Sequence, residues 1–193
     1  MEAITIKGHL VDSMTDDEYF YFCQENETLQ IERTSDYQIY IIPLIGSISG
    51  HTSDRALTPL AVWNIKNKLG FEFDSSTGFT LPDNSVLSPD AAWVSNEKWN
   101  HLSIEDLEKF AHVCPEFVIE VKSKSDRLSY LKDKMQKWIT NGCHLAWLIN
   151  PEDESIIIYR KDGSVEQVHG FDRKLSGENV LMGFEMDLSL LRI

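Results

Sequence analysis

The spacing of apolar residues changes period several times along the chain, and each change predicts an element. Thr15-Asp16-Asp17-Glu18 has the form of a capping box, and Tyr19, Phe20, Phe22 and Cys23 follow it, which predicts a short helix over about 15–25. Runs at Leu29–Arg33 and Gln38–Leu44, separated by the turn-forming pair Ser35-Asp36, predict two strands, and Pro43 sets the second near an edge or at its own end. From Ser53 to Leu69 the positions Leu57, Leu60, Ala61, Trp63, Asn64, Ile65 and Leu69 recur at helical spacing. Gly70 stands where a left-handed cap belongs, and Pro59 either opens this helix or kinks it.

Phe71-Glu72-Phe73 and Gly78–Pro82 read as short strands around the loop Asp74-Ser75-Ser76-Thr77. Val86–Val94 reads as one strand region, confined by Pro89 to an edge or a strand start, and Ser103-Ile104-Glu105-Asp106 caps a further short helix. Phe117–Val121 is an apolar, β-branched-rich strand broken only by Glu120. Leu128, Leu131, Met135, Trp138 and Ile139 then recur at helical spacing up to Gly142, and Leu145–Ile149 is a continuous apolar run of the kind covered on both faces. Strand, helix and strand form a βαβ unit with parallel or mixed pairing. Glu154–Arg160 and Val165–Val168 flank Asp162-Gly163 as a hairpin at the far edge, and Leu175–Leu191 has few regular features beyond loop and short helix. The order of elements predicts an α/β fold in a single domain over 1–193, its mixed central sheet flanked by helices, with an N-terminal extension over about 1–28 that carries an additional helix, and with added β-hairpins.

Composition narrows the class. At 193 residues with 42% hydrophobic residues the chain supports one substantial core. No basic flank with a long apolar core opens it and no run approaches the ~20 apolar residues of a membrane span, so a cytoplasmic protein with no membrane partner is expected. Cys23, Cys114 and Cys143 are scattered without C-x-x-C spacing, which argues against a disulfide framework or a zinc knuckle. The net charge of −13, from 31 acidic and 18 basic residues, opposes a polyanionic partner unless the cations are gathered. They are gathered in part: Lys122, Lys124, Arg127, Lys132, Lys134 and Lys137 fall in one segment with only Asp126 and Asp133 as acids. A solvated helix face and a positive wall around a phosphate are both open readings of that run.

The candidate chemistry lies just before it. Side chains two apart on a strand share a face, so Glu120 and Lys122 are predicted to emerge together, opposite Phe117, Ile119 and Val121. If Asp90 ends a neighbouring strand, two carboxylates and one ammonium converge on a site for a hard cation. Mg²⁺ there, or Mn²⁺ in its place, acidifies water and binds phosphate oxygens; Asp90 and Glu120 are the predicted ligands, with the Val121 carbonyl as a further one. Lys122 is predicted to position the attacking water and stabilise developing negative charge.

Ser88-Pro89-Asp90 followed by Phe117-Val118-Ile119-Glu120-Val121-Lys122-Ser123 resembles the PD-(D/E)xK signature of restriction-endonuclease-like nucleases. The chain resembles the Uma2 family in particular, over roughly residues 29–190. The anchors, in order, are Gln30-Ile31-Glu32-Arg33, Phe73–Phe79, Ser88–Val94, the Glu120 strand with Ser123–Asp126, Lys134-Met135, Asn141-Gly142, Trp147–Pro151 and Leu175–Glu178. The resemblance implies a restriction-endonuclease-like core and a metal-dependent endonuclease acting on DNA, with Asp90, Glu120 and Lys122 as its catalytic residues. It implies that Glu32 faces the metal and that Lys134 lies near the phosphate; a surface strand glutamate and a solvated lysine are the competing readings. His51 is read as a surface residue and Trp138, where relatives often carry Tyr, as core. A homodimer is expected by analogy with double-strand cleavage. A nuclease fold without turnover, acting as a nucleic-acid-binding or regulatory module, is the alternative that the acidic charge favours.

Overall fold

The apolar run around Glu120 forms an interior strand of the main sheet in a computed structural model of the protein, which describes residues 4–6, 8, 11 and 13–192. In chain order the elements are β1 (Ile4–Ile6), α1 (Asp16–Glu25), β2 (Gln30–Arg33), β3 (Ile39–Ile42), α2 (Ser47–Asn67), β4 (Gly70–Asp74), β5 (Phe79–Thr80), β6 (Val86–Leu87), β7 (Ala91–Ser95), α3 (Asn96–Trp99), α4 (Ile104–Glu108), β8 (Phe117–Val121), α5 (Leu128–Thr140), β9 (Leu145–Asn150), β10 (Ser155–Arg160), β11 (Val165–His169), β12 (Lys174–Ser176) and β13 (Glu185–Asp187), and a 3-10 turn covers Leu188–Leu191.

The fold is mixed α/β. Its main sheet has the order β11-β10-β9-β8-β7-β4, and β8 and β9 pair in parallel because α5 carries the chain back between them. Strand alternation sorts the two faces. Phe117, Ile119 and Val121 join Trp147 and Ile149 beneath α2 residues Ala56, Leu60 and Trp63 and the C-terminal Phe184 and Leu188. Val118, Ala146 and Leu148 face the other way, against Leu131, Met135 and Trp138 of α5. Glu120 therefore projects to the α5 side, into an otherwise apolar layer. A smaller sheet, β1-β3-β2-β6-β5, stands beside the main one. Helix α1 is held on it by Arg33, which is fully buried, ion-paired with Asp16 and covered by the Tyr19 and Tyr37 rings.

Four details differ from the sequence pattern. Helix α2 starts at Ser47, so Pro59 lies inside it; burial of Ala56, Leu60 and Trp63 on the sheet offsets the ~3 kcal/mol that an interior proline costs. The left-handed cap is Lys68, with φ of 54°, whereas Gly70 opens β4 where backbone and ring approach too closely for a side chain. Val86–Val94 is two strands: β6 belongs to the small sheet and β7 to the main one, and Ser88-Pro89-Asp90 is the crossing between them. The C-terminal segment forms the ribbon β12–β13, whose Met186 is buried together with the flanking Leu181, Phe184 and Leu188. Among the described residues no helix is long and apolar enough to cross a membrane.

Two glycines of the α2–β4 region behave oppositely when given a methyl group. A Cβ at Gly70 would meet the Val94 carbonyl and the Trp93 ring, so Gly70→Ala is expected to lower stability by about 1–3 kcal/mol. At Gly50, inside α2, the same methyl meets nothing, and Gly50→Ala should raise stability by about 0.5–1 kcal/mol. Urea denaturation of both variants checks the pair.

Candidate functional site

Three separate segments bring carboxylates to the seam between the sheets. Glu32 comes from β2 of the small sheet, Asp90 from the crossing between β6 and β7, and Glu120 from β8 of the main sheet. The ammonium that meets Glu32 and Glu120 comes from α5. Lys134 Nζ lies 2.8 Å from Oε1 of both Glu32 and Glu120 and donates to the Ser88 carbonyl at 2.8 Å. It shares a helix face with the buried Leu131 and Trp138, which explains why a lysine in a solvated-looking basic run is turned inward. Glu32 is likewise buried.

Each acid is fixed by further bonds. The Val121 amide donates to Asp90 Oδ2 at 2.7 Å and the Ser53 hydroxyl of α2 to Oδ1 at 3.2 Å. Trp138, buried as core, also donates its indole N–H to Glu120 Oε1 at 3.1 Å. The Ser88 amide donates to Glu32 Oε1 at 3.0 Å, so both backbone groups of Ser88 serve the cluster. Lys122 is placed elsewhere. It lies one residue beyond β8, and its ammonium turns to Glu152 at 2.6 Å and to the Ser123 carbonyl at 3.0 Å, not to Glu120. Strand alternation governs side chains only while the strand lasts, and the backbone leaves the ladder after the Lys122 amide bonds the Ile149 carbonyl. His51 lies exposed in the first turns of α2, beside Arg55.

The charge of this group is unbalanced. Glu32, Asp90 and Glu120 set three carboxylates against the one ammonium of Lys134, all lining one cleft whose rim adds Asp126 and Arg127. Burial pushes the Glu120 carboxyl up, and Asp90 and Glu32 add to it against the pull of Lys134, leaving it at about 7. Burial likewise raises Asp90, although the Val121 amide and Lys134 oppose it. For Lys134 burial acts downward, but the Glu120 and Glu32 carboxylates outweigh it and hold the ammonium well above its ordinary range. Glu32 Oε2 is buried without a hydrogen-bond partner. An orphaned carboxylate oxygen beside acids reluctant to ionise is a site short of positive charge.

The cleft encloses about 520 Å³. Its floor is the acid group and Val121; its walls are Tyr40 and Ile42 of β3, the loop residues Pro43, Leu44 and Ile45, and Tyr130 with Leu131 of α5. Tyr40, Tyr130, Ser53 and Asp126 are the site residues that the sequence pattern did not single out. For Tyr130 a signal existed: it precedes Lys134 by four positions, one helical turn on the same face. For Tyr40 and Ser53 there was none, since only the approach of the two sheets and α2 brings them near. Among the described residues no group of three or more His, Cys, Asp or Glu forms a ready metal cage. Mg²⁺ does not require one, because it keeps several waters and takes one or two carboxylates.

The sequence of residues 16–189 matches the family model Uma2, described as "Putative restriction endonuclease". Among solved structures, the crystal structure of a putative nuclease belonging to DUF820 from Anabaena variabilis ATCC 29413 superposes with a TM-score of 0.72 at 15% identity, covering 92% of this chain and 97% of that one. At that identity the likeness establishes the shared fold. No curated relative matches the sequence.

A carboxyl that ionises less readily in the fold than in the unfolded chain weakens the fold once it is ionised. For Glu120 that loss accrues as pH rises from the ordinary 4.5 to about 7 and is constant above it. Glu120→Gln removes the titrating group. In metal-free buffer the stability of the wild type relative to Glu120→Gln should therefore fall across that window by roughly 1–3 kcal/mol. Urea titrations at a series of pH values measure it; a difference that is flat, or grows in the wild type's favour, would show that Glu120 carries no excess charge.

Proposed function

The chain belongs to the Uma2 family, and from that premise we propose that it is a Mg²⁺-dependent endonuclease that hydrolyses phosphodiester bonds in DNA. The observation that carries the reading is the shortage of positive charge on the cleft floor, where three carboxylates face one ammonium and a Glu32 oxygen is left without a partner. A divalent cation is the species that such a floor lacks, and its oxygen donors are the hard ligands that Mg²⁺ or Mn²⁺ prefers.

Asp90 and Glu120 would hold the ion, with the Val121 carbonyl as an additional donor. Bound there, a divalent ion supplies an acidified water and neutralises charge on the phosphate. The protein's own groups do the rest. The Val121 amide and Ser53 keep the Asp90 carboxylate in one orientation, and Trp138 does the same for Glu120. Lys134, held by Glu32 and the Ser88 carbonyl, keeps a fixed positive charge on the floor, where it stabilises negative charge that develops on the phosphate. Lys122 reaches the water only by leaving Glu152. On this reading the lysine that serves the reaction is Lys134, because it already lies on the floor.

A second reading has its own support. Lys134 already lies against Glu120 and Glu32, and a net charge of −13 disfavours tight hold on a polyanion, as suits a nuclease-fold module that binds without cutting. Incubation of plasmid and single-stranded DNA with Mg²⁺ or Mn²⁺ separates the two. Asp90→Ala, Glu120→Ala and Lys134→Gln are each expected to lower the cleavage rate by about 100-fold or more, and Lys122→Gln by less than Lys134→Gln. Equal cleavage by all variants would mean a contaminating nuclease. Calorimetry should detect ion binding that Asp90→Ala abolishes; ion binding without cleavage leaves the second reading in place.

A further inference from the structure

The acid floor lies at the bottom of the cleft, and this limits what can reach it. Glu32 and Glu120 are 2% and 4% exposed, so a phosphate that meets them has to enter the cleft rather than lie across its mouth. A space of about 520 Å³ accepts one nucleotide with its neighbours trailing out; it does not accept a duplex, which is two strands wide.

The walls specify what enters. Tyr130, 41% exposed, stands one turn above Lys134 on α5, and Tyr40 lines the same space from β3. Tyr130 is partly exposed and lines the same cleft as Glu32, Glu120 and Lys134, which places it between the mouth and the floor. Beside Tyr40, Leu44 is 95% exposed and Ile45 is exposed too, large apolar side chains on the rim of a polar cleft. Flat rings and aliphatic rims suit the face of an unstacked base. The cations suit a single backbone. In a chain of net charge −13, Arg127 lines the cleft with Asp126 beside it and Lys124 is exposed three residues before, a small positive contribution that suits one backbone and is a poor match for the charge density of two.

We propose that the cleft takes an unpaired DNA strand, with a base stacked on Tyr130 between the α5 wall and the Tyr40–Leu44–Ile45 wall while its phosphate descends to the acid floor. The proposal rests on the nuclease reading for the phosphate end and names the form of the substrate. Its test is fluorescence anisotropy with a labelled single-stranded oligonucleotide and the duplex of the same sequence, with Ca²⁺ in place of Mg²⁺ so that binding is measured apart from cleavage. The wild type is expected to bind the single strand at least about ten-fold more tightly than the duplex; Tyr130→Ala should lose roughly 5- to 100-fold in single-strand affinity, and Tyr130→Phe, which keeps the ring face, should lose little. Equal affinity for both forms, no binding of the single strand, or equal losses in Tyr130→Ala and Tyr130→Phe would overturn it. Tyr130 is exposed enough for both variants to fold, and circular dichroism checks that they do. Selective single-strand binding with no cleavage in Mg²⁺ would sink the nuclease reading and leave this one standing. Cleavage of DNA with no preference between strand and duplex would do the reverse.

Discussion

The two sheets and the segment that joins them meet at one ammonium group. Lys134 touches a carboxylate from the small sheet, a carboxylate from the main sheet and a backbone carbonyl from the segment that joins the sheets, and it does so from a helix packed on the main sheet. Buried ion pairs contribute little net stability once desolvation is counted, but breaking one by removing a single partner costs about 3–5 kcal/mol. The value of this arrangement is positional. It fixes how the small sheet sits against α5, and thereby the width of the space above it.

Much of the main sheet was legible in the chain because its cause is local. The run from Phe117 to Val121 is apolar but for Glu120, Leu145–Ile149 is continuously apolar, and the intervening Leu131, Met135 and Trp138 have helical spacing, so a βαβ unit follows from period alone, with Glu120 opposite Phe117, Ile119 and Val121, while which face α5 covers does not. Pro89 marked a strand start correctly, since β7 begins two residues later, but no local rule revealed that β6 and β7 belong to different sheets. That assignment depends on which partner strands are available, and Arg33 and Ile119, which pair with Val86 and Ala91, are distant in sequence.

The lysine shows the same limit at the site. Strand alternation set Lys122 beside Glu120, but that rule ends where the strand ends, and Glu152, thirty positions on, takes the ammonium. Lys134 carried no sign of its burial except its place on the face of Leu131 and Trp138, because a lysine enters an apolar layer only when acids from elsewhere meet it there. The resemblance to a family supplied Glu32, which strand periodicity could not separate from a surface residue. Side chains whose partners are near in sequence were readable; those whose partners arrive from another sheet were not.

The crossing at Ser88-Pro89-Asp90 limits how the cleft can move. Three residues separate the last residue of β6 from the first of β7, so the ends of the two strands stay within about 10–14 Å while both sheets keep their ladders. Ser88 is held on both its backbone groups and Asp90 on both its carboxylate oxygens, which pins the tether at the floor. The tether thus holds the cleft at its acid floor, whereas Leu44 and Ile45 on the rim lie far from it in sequence and are exposed. The rim has freedom that the acid group beneath it lacks.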